Sequence, residues 1–73
     1  MQYNAQMTKE ALGGKIKDRR KILKIRQEDL AEISGVALRT VVSVERGEGN
    51  PSLETLLKIA EVLGMELQLN VKL

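Results

Sequence analysis

Three glycines punctuate this chain. Gly35, Gly47 and Gly64 each follow a short segment whose apolar residues recur at helical spacing. Glycine enters the left-handed backbone region without steric cost and so stands just past many helix C-termini. Between Gly35 and Gly64 this spacing leaves no room for a long helix. Short helices are marginal alone, so the chain must stack several and bury their apolar stripes against one another.

The first helix is expected from about Lys9 to Leu23, capped by Thr8 and with Glu10 in its first turn. Its stripe is Leu12, Ile16, Arg20 and Leu23, so one basic residue points inward. Gly13 and Gly14 weaken this helix by roughly 1 kcal/mol each relative to alanine, or else admit another backbone at close range. The second helix, Gln27 to Ser34, turns Leu30, Ala31 and Ile33 inward and ends at Gly35. The third, Leu38 to Arg46, buries Val41 and Val44, with Val36 just ahead of it. Its valines would also suit a strand. Helix is preferred because Val41, Val44 and Glu45 share a face, and because turn signals bracket the segment too tightly for a hairpin. The fourth, Leu53 to Leu63, is capped by Ser52 and turns Leu53, Leu56, Leu57, Ala60 and Leu63 inward.

The last residues break this pattern. From Met65 to Leu73, apolar Met65, Leu67, Leu69, Val71 and Leu73 alternate with polar Glu66, Gln68, Asn70 and Lys72, which is the period of a half-buried strand. Residues 1–7 read as a flexible arm, 8–64 as a helical domain and 65–73 as a strand.

Composition narrows the chemistry. The 73 residues contain neither cysteine nor histidine. That removes disulfides, thiolate or imidazole metal sites and the usual general acid–base and nucleophile pairs, so neither an enzyme nor a metal or cofactor site is expected. No apolar run approaches membrane-spanning length and the N-terminus lacks a signal-like core, so a cytoplasmic location is expected. Residues 1–44 carry nine Lys/Arg against five Asp/Glu, whereas 45–73 carry three against five. The basic half suits a polyanion, or equally a solvated helix face.

The stretch QEDLAEISGVALRTVVSVERG, helix–glycine turn–helix, has the length of a helix-turn-helix motif. Together with Asn50–Pro51–Ser52–Leu53 it resembles the Cro/cI-type repressor domains, also called the XRE family, over about residues 12–64. The resemblance implies a mainly α, four-helix, lambda-repressor-like fold that binds double-stranded DNA at a palindromic operator. It implies a semi-buried ion pair between Arg20 and Glu45, which accounts for the basic residue in the first helix's stripe. It assigns base reading to Ala37, Leu38, Arg39 and Ser43, and phosphate contact to Arg26, Gln27, Thr40, Arg46 and Asn50. Arg39 suits guanine, because a guanidinium can donate two bonds to O6 and N7. It could instead meet a phosphate, and Gln27 could be an ordinary polar residue at a helix start. Leu38 and Val42 can touch a thymine methyl, unless Val42 belongs to the core. Three positions depart from the family pattern: Lys24 stands where glycine is usual, and Arg26 and Ala37 stand where small capping residues are usual.

Members of this family ordinarily end in a fifth helix; this chain ends in the alternating segment. A lone strand leaves backbone groups unpaired, and a second copy across a two-fold axis supplies the simplest partner. With Leu69 on that axis, Glu66 faces Lys72, Leu67 faces Val71 and Met65 faces Leu73, which matches opposite charges. A C-terminal β-strand pairing across a homodimer is similar to the HipB-type antitoxins, and that likeness implies a HipA-like kinase toxin as a partner. The rival expectations are a stand-alone regulator and a protein-interaction adaptor using Leu38 and Val42. Single-stranded nucleic acid is disfavoured because Tyr3 is the only aromatic residue available for stacking.

Overall fold

The computed structural model describes residues 8–72. The expected arm, residues 1–7, and Leu73 lie outside them. Four helices follow in order: α1 (Lys9–Ile22), α2 (Gln27–Ser34), α3 (Leu38–Arg46) and α4 (Leu53–Leu63). The Thr8 hydroxyl accepts from the Ala11 amide, and the Ser52 hydroxyl accepts from Thr55. Each helix thus begins or ends where the local chemistry of its flanking residues directs.

The α3 terminus shows why a glycine is required there. Gly47 adopts φ 73°, while its amide donates to the Val44 carbonyl and the Glu48 amide donates to Ser43. These two reversed bonds satisfy carbonyls that the helix would otherwise leave open. Gly47 also abuts the start of α1, where an added Cβ would stand 2.9 Å from the Glu10 Cα. At the end of α1, Lys24 occupies the same left-handed region at φ 60° without being a glycine. Its amide donates to Lys21 and that of Ile25 to Arg20, so the helix stops in the usual geometry despite the departure in sequence.

The core comprises Ile16, Leu30, Ala31, Val36, Val41, Val44, Ile59 and Leu63, with Leu12, Ile25, Leu56, Val62 and Met65 packed at its edge. At Gly13 the backbones of α1 and α3 come close together. A Cβ there would collide with the Val44 carbonyl oxygen and stand 2.9 Å from that of Glu45. Gly14 faces open space.

Four residues expected to face inward do not. Leu23 is 39% exposed, Ile33 65%, Leu53 65% and Leu57 49%. The apolar stripe of α4 runs instead through Leu56, Ile59, Ala60 and Leu63, and Ile59 is fully buried. Leu53 and Leu57 lie roughly 70° and 110° around the helix from the centre of that stripe, on its flank. Likewise α2 packs chiefly against α3 and α4, and Leu30 and Ala31 are buried there while Ile33 is left exposed.

The expected C-terminal strand is also corrected. Residues 65–72 form neither strand nor helix, and the Met65 amide closes α4 by donating to Ala60. A strand exists only by hydrogen bonding to a neighbour, and four helices present no sheet edge. Met65 packs against the core. Leu67 meets Leu12, Leu53, Leu56 and Leu57 across an apolar cleft. Leu69 and Val71 stand free in solvent. No helix among the described residues is long and apolar enough to cross a membrane.

Candidate nucleic-acid interface

Helix α3 is strongly two-sided. Val41, Val44 and Glu45 are buried, whereas Leu38, Arg39 and Arg46 are exposed and Val42 and Ser43 half-buried. Arg39, Ser43 and Arg46 recur at i, i+4 and i+7, which places them along one outward line. Beyond α3 the chain turns back through the loop at Gly47–Pro51. There Arg39, Thr40 and Ser43 line one wall of an open groove, and Glu48, Gly49, Asn50 and Pro51 line the other. The Lys9 ammonium donates to the Gly49 carbonyl at 2.7 Å, tying this loop to the start of α1.

Five residues expected at the interface therefore gather on one side: Arg39, Thr40, Ser43 and Asn50 around the groove, with Arg46 on the adjoining turn. Thr40, expected at a phosphate, lies on the same wall as the expected base readers. Ala37 and Leu38 occupy the exposed tip of α3. Ala37 provides no side-chain cap, and no acidic residue occupies the first turn. The leading amides and the helix dipole are thus open to an anion.

The start of α2 forms the other end of the site. An arginine side chain cannot accept hydrogen bonds, so Arg26 cannot cap this helix. Instead Asp29 reaches back and its carboxylate accepts from the Arg26 amide at 2.9 Å, one half of a capping box. That bond, with a weaker one from the Arg26 side chain, holds the Asp29 carboxyl below its ordinary range. The Arg26 guanidinium, 77% exposed, is raised by the same pairing and remains accessible.

Beneath α2 lies a buried polar cluster. Arg20 Nε donates to Glu45 Oε2 at 2.6 Å and Nη2 donates to Oε1 at 3.0 Å, while Nη1 donates to the Ile25 carbonyl at 2.9 Å. Gln27 Nε2 adds a further bond to Glu45 Oε1 at 3.1 Å. The Glu45 side chain is only 2% exposed and that of Arg20 11%. One carboxylate therefore ties α1, α2 and α3 together, and its hydrogen bond holds the Arg20 guanidinium above its ordinary range against the opposing effect of burial. No buried polar side-chain atom among the described residues lacks a partner.

Several contributors had no clear signal in the sequence. Glu48 and Pro51 line the groove through the path of the loop, which periodicity does not encode. Arg19 Nε donates to the Leu63 carbonyl at 2.9 Å, holding the end of α4 against α1. The bond from Gln27 to Glu45 spans helices and is likewise invisible to local pattern.

With this geometry established, known proteins supply a frame for it. The family described as Helix-turn-helix matches residues 16–70. An uncharacterized HTH-type transcriptional regulator of Methanocaldococcus jannaschii is 37% identical over 54 residues, covering 74% of this chain and 82% of that protein. The restriction-modification controller protein C.AhdI from Aeromonas hydrophila superposes with a TM-score of 0.75 at 36% identity, covering 80% of this chain and 88% of that one. The clp gene regulator ClgR from Corynebacterium glutamicum gives a TM-score of 0.77 at 27% identity, covering 90% and 85%. Some relatives are much longer: the chain spans 17% of a putative HTH-type transcriptional regulatory protein from Methanococcus maripaludis.

Proposed function

Since the chain belongs to the XRE-type helix-turn-helix family, matched over residues 16–70, we propose that it is a transcriptional regulator that enters the major groove of double-stranded DNA with α3. One observation carries this reading. The outward line of Arg39, Ser43 and Arg46 is open, while the opposite face of α3 is locked into the core. Arg39 donates to guanine; Ser43, Ala37 and the Leu38 side chain meet neighbouring base edges and thymine methyls. Arg26, Gln27, Thr40, Arg46 and Asn50 grip phosphates and set the docking angle. No catalytic step is assigned to these residues.

Two copies act together, paired through residues 65–73. The fully exposed Leu69 and the exposed Val71 supply apolar surface for that contact, while Met65 and Leu67 anchor the segment to its own domain. The stand-alone regulator is preferred over the antitoxin. The relatives carry the names of regulators and controllers, whereas a kinase partner rests only on the alternating C-terminal segment and the chain length.

Selection from a random duplex pool tests the proposal. The expected product is a palindromic site with half-sites about one helical turn apart. A pool that shows no enrichment overturns it.

A further inference from the structure

We propose that Glu45 is a positioning residue for the phosphate contact at Gln27, so that one buried carboxylate links the seating of α3 to the grip of α2 on the DNA backbone. This rests on the DNA-binding reading above and deepens it.

The argument begins with hydrogen-bond direction. A carboxylate only accepts, so the end of the Gln27 carboxamide that faces Glu45 must be its nitrogen. That bond, 3.1 Å from Nε2 to Oε1, uses one of two N–H groups and leaves the second unassigned. Gln27 is the first residue of α2, and Arg26 ahead of it offers no side-chain acceptor to the leading amides. The free N–H therefore lies at a helix start whose backbone amides are also unclaimed, and together they suit a phosphate oxygen. Glu45 is itself held on several sides, with its side chain 2% exposed. Both its oxygens are bound by Arg20, whose third bond reaches the Ile25 carbonyl in the turn before α2. A glutamine on the protein surface must lose side-chain freedom when it binds a phosphate; here much of that ordering is complete before DNA arrives. Because Glu45 is a residue of α3, the grip and the recognition helix are held in one frame.

A double-substitution cycle tests this, using a mixed-sequence duplex of about 30 base pairs at low salt, since phosphate contacts are independent of sequence. Gln27→Ala is expected to weaken binding roughly tenfold, as for a hydrogen bond to a charged group. In Glu45→Gln an amide can replace the oxygen that Gln27 uses, and the Gln27 carboxamide must then release or turn over. This variant is expected to lose a similar factor, and the double variant no more than either alone. Glu45→Gln combined with Arg46→Ala is expected to be additive. Additive losses for Gln27 and Glu45 overturn the proposal. A wild-type chain that does not bind the duplex at all overturns the DNA-binding reading instead, so the two failures are distinct. Should Glu45→Gln fail to fold, the Gln27 side-chain amide of the wild-type protein decides by NMR. On adding the duplex one proton should shift while the proton bonded to Glu45 stays in place. Loss of the Glu45-bonded proton signal, or no change in either, contradicts the proposal.

Discussion

At the scale of single residues, Glu45 carries the largest consequence. Its carboxylate accepts from Arg20 twice and from Gln27 once, at a side-chain exposure of 2%. Removing it strands a buried guanidinium, and breaking such a pair costs about 3–5 kcal/mol. Glu45→Ala should lower stability in urea by about 3 kcal/mol, whereas Glu32→Ala on an exposed surface should change it by less than about 0.5 kcal/mol. An equal effect of the two would refute the role given to the cluster. Lys24 offers the opposite test. A side chain at φ 60° is strained, and glycine removes the strain at some cost in unfolded-chain entropy. Lys24→Gly should stabilise by about 0.5 kcal/mol. Asp29 adds a dependence on pH. Its folded-state pKa lies below the ordinary carboxylate value of about 4, so its contribution is present above that value and is lost as pH falls through the folded one. The stability gap between wild type and Asp29→Asn should therefore close as the solution is acidified below about pH 4.

At the scale of elements, the packing of α1 against α3 depends on the missing side chain at Gly13. An added methyl would meet the carbonyls of Val44 and Glu45 on the facing backbone, which cannot yield as a flexible side chain can. Gly13→Ala should destabilise by about 2 kcal/mol or more through overpacking. Gly14→Ala, which enters open space in the same helix, should stabilise by up to about 1 kcal/mol. Thermal melts of the two variants shifting in the same direction would contradict this account of the interface. The sequence shows two adjacent glycines and no way to tell them apart, since the distinction lies in which one faces another helix. Helix ends were more legible, because capping hydroxyls and C-terminal glycines act within a few residues of the chain. The width of each buried stripe was not. Ile33, Leu53 and Leu57 have the right period and residue type, but whether a second helix covers them depends on tertiary placement. In the candidate interface, Arg39 and Ser43 were readable from their place in the motif. The groove wall formed by Glu48 and Pro51 required the loop's path.

At the scale of the whole molecule, a packed four-helix domain presents one face of α3 to solvent and carries a C-terminal segment that pairs with no strand among the described residues. Alternation in that segment marks it as different from the helices, yet strand hydrogen bonding depends on a neighbour that the described residues do not supply. Deleting residues 69–73, beyond the Leu67 anchor, should leave the melting transition of the four helices nearly unchanged while lowering the dimer fraction in sedimentation. A truncated chain that dimerises as well as the full one would place the contact elsewhere. The proposed function turns on α3 reading DNA. The most direct measurement is equilibrium binding of the wild type and Arg39→Ala to a duplex selected by the wild type, at two salt concentrations. Wild-type affinity should fall steeply with salt as phosphate contacts release counterions. Arg39→Ala should lose about 1–3 kcal/mol on that duplex while keeping its affinity for unrelated DNA. Equal binding by both proteins, or affinity indifferent to salt, would contradict it.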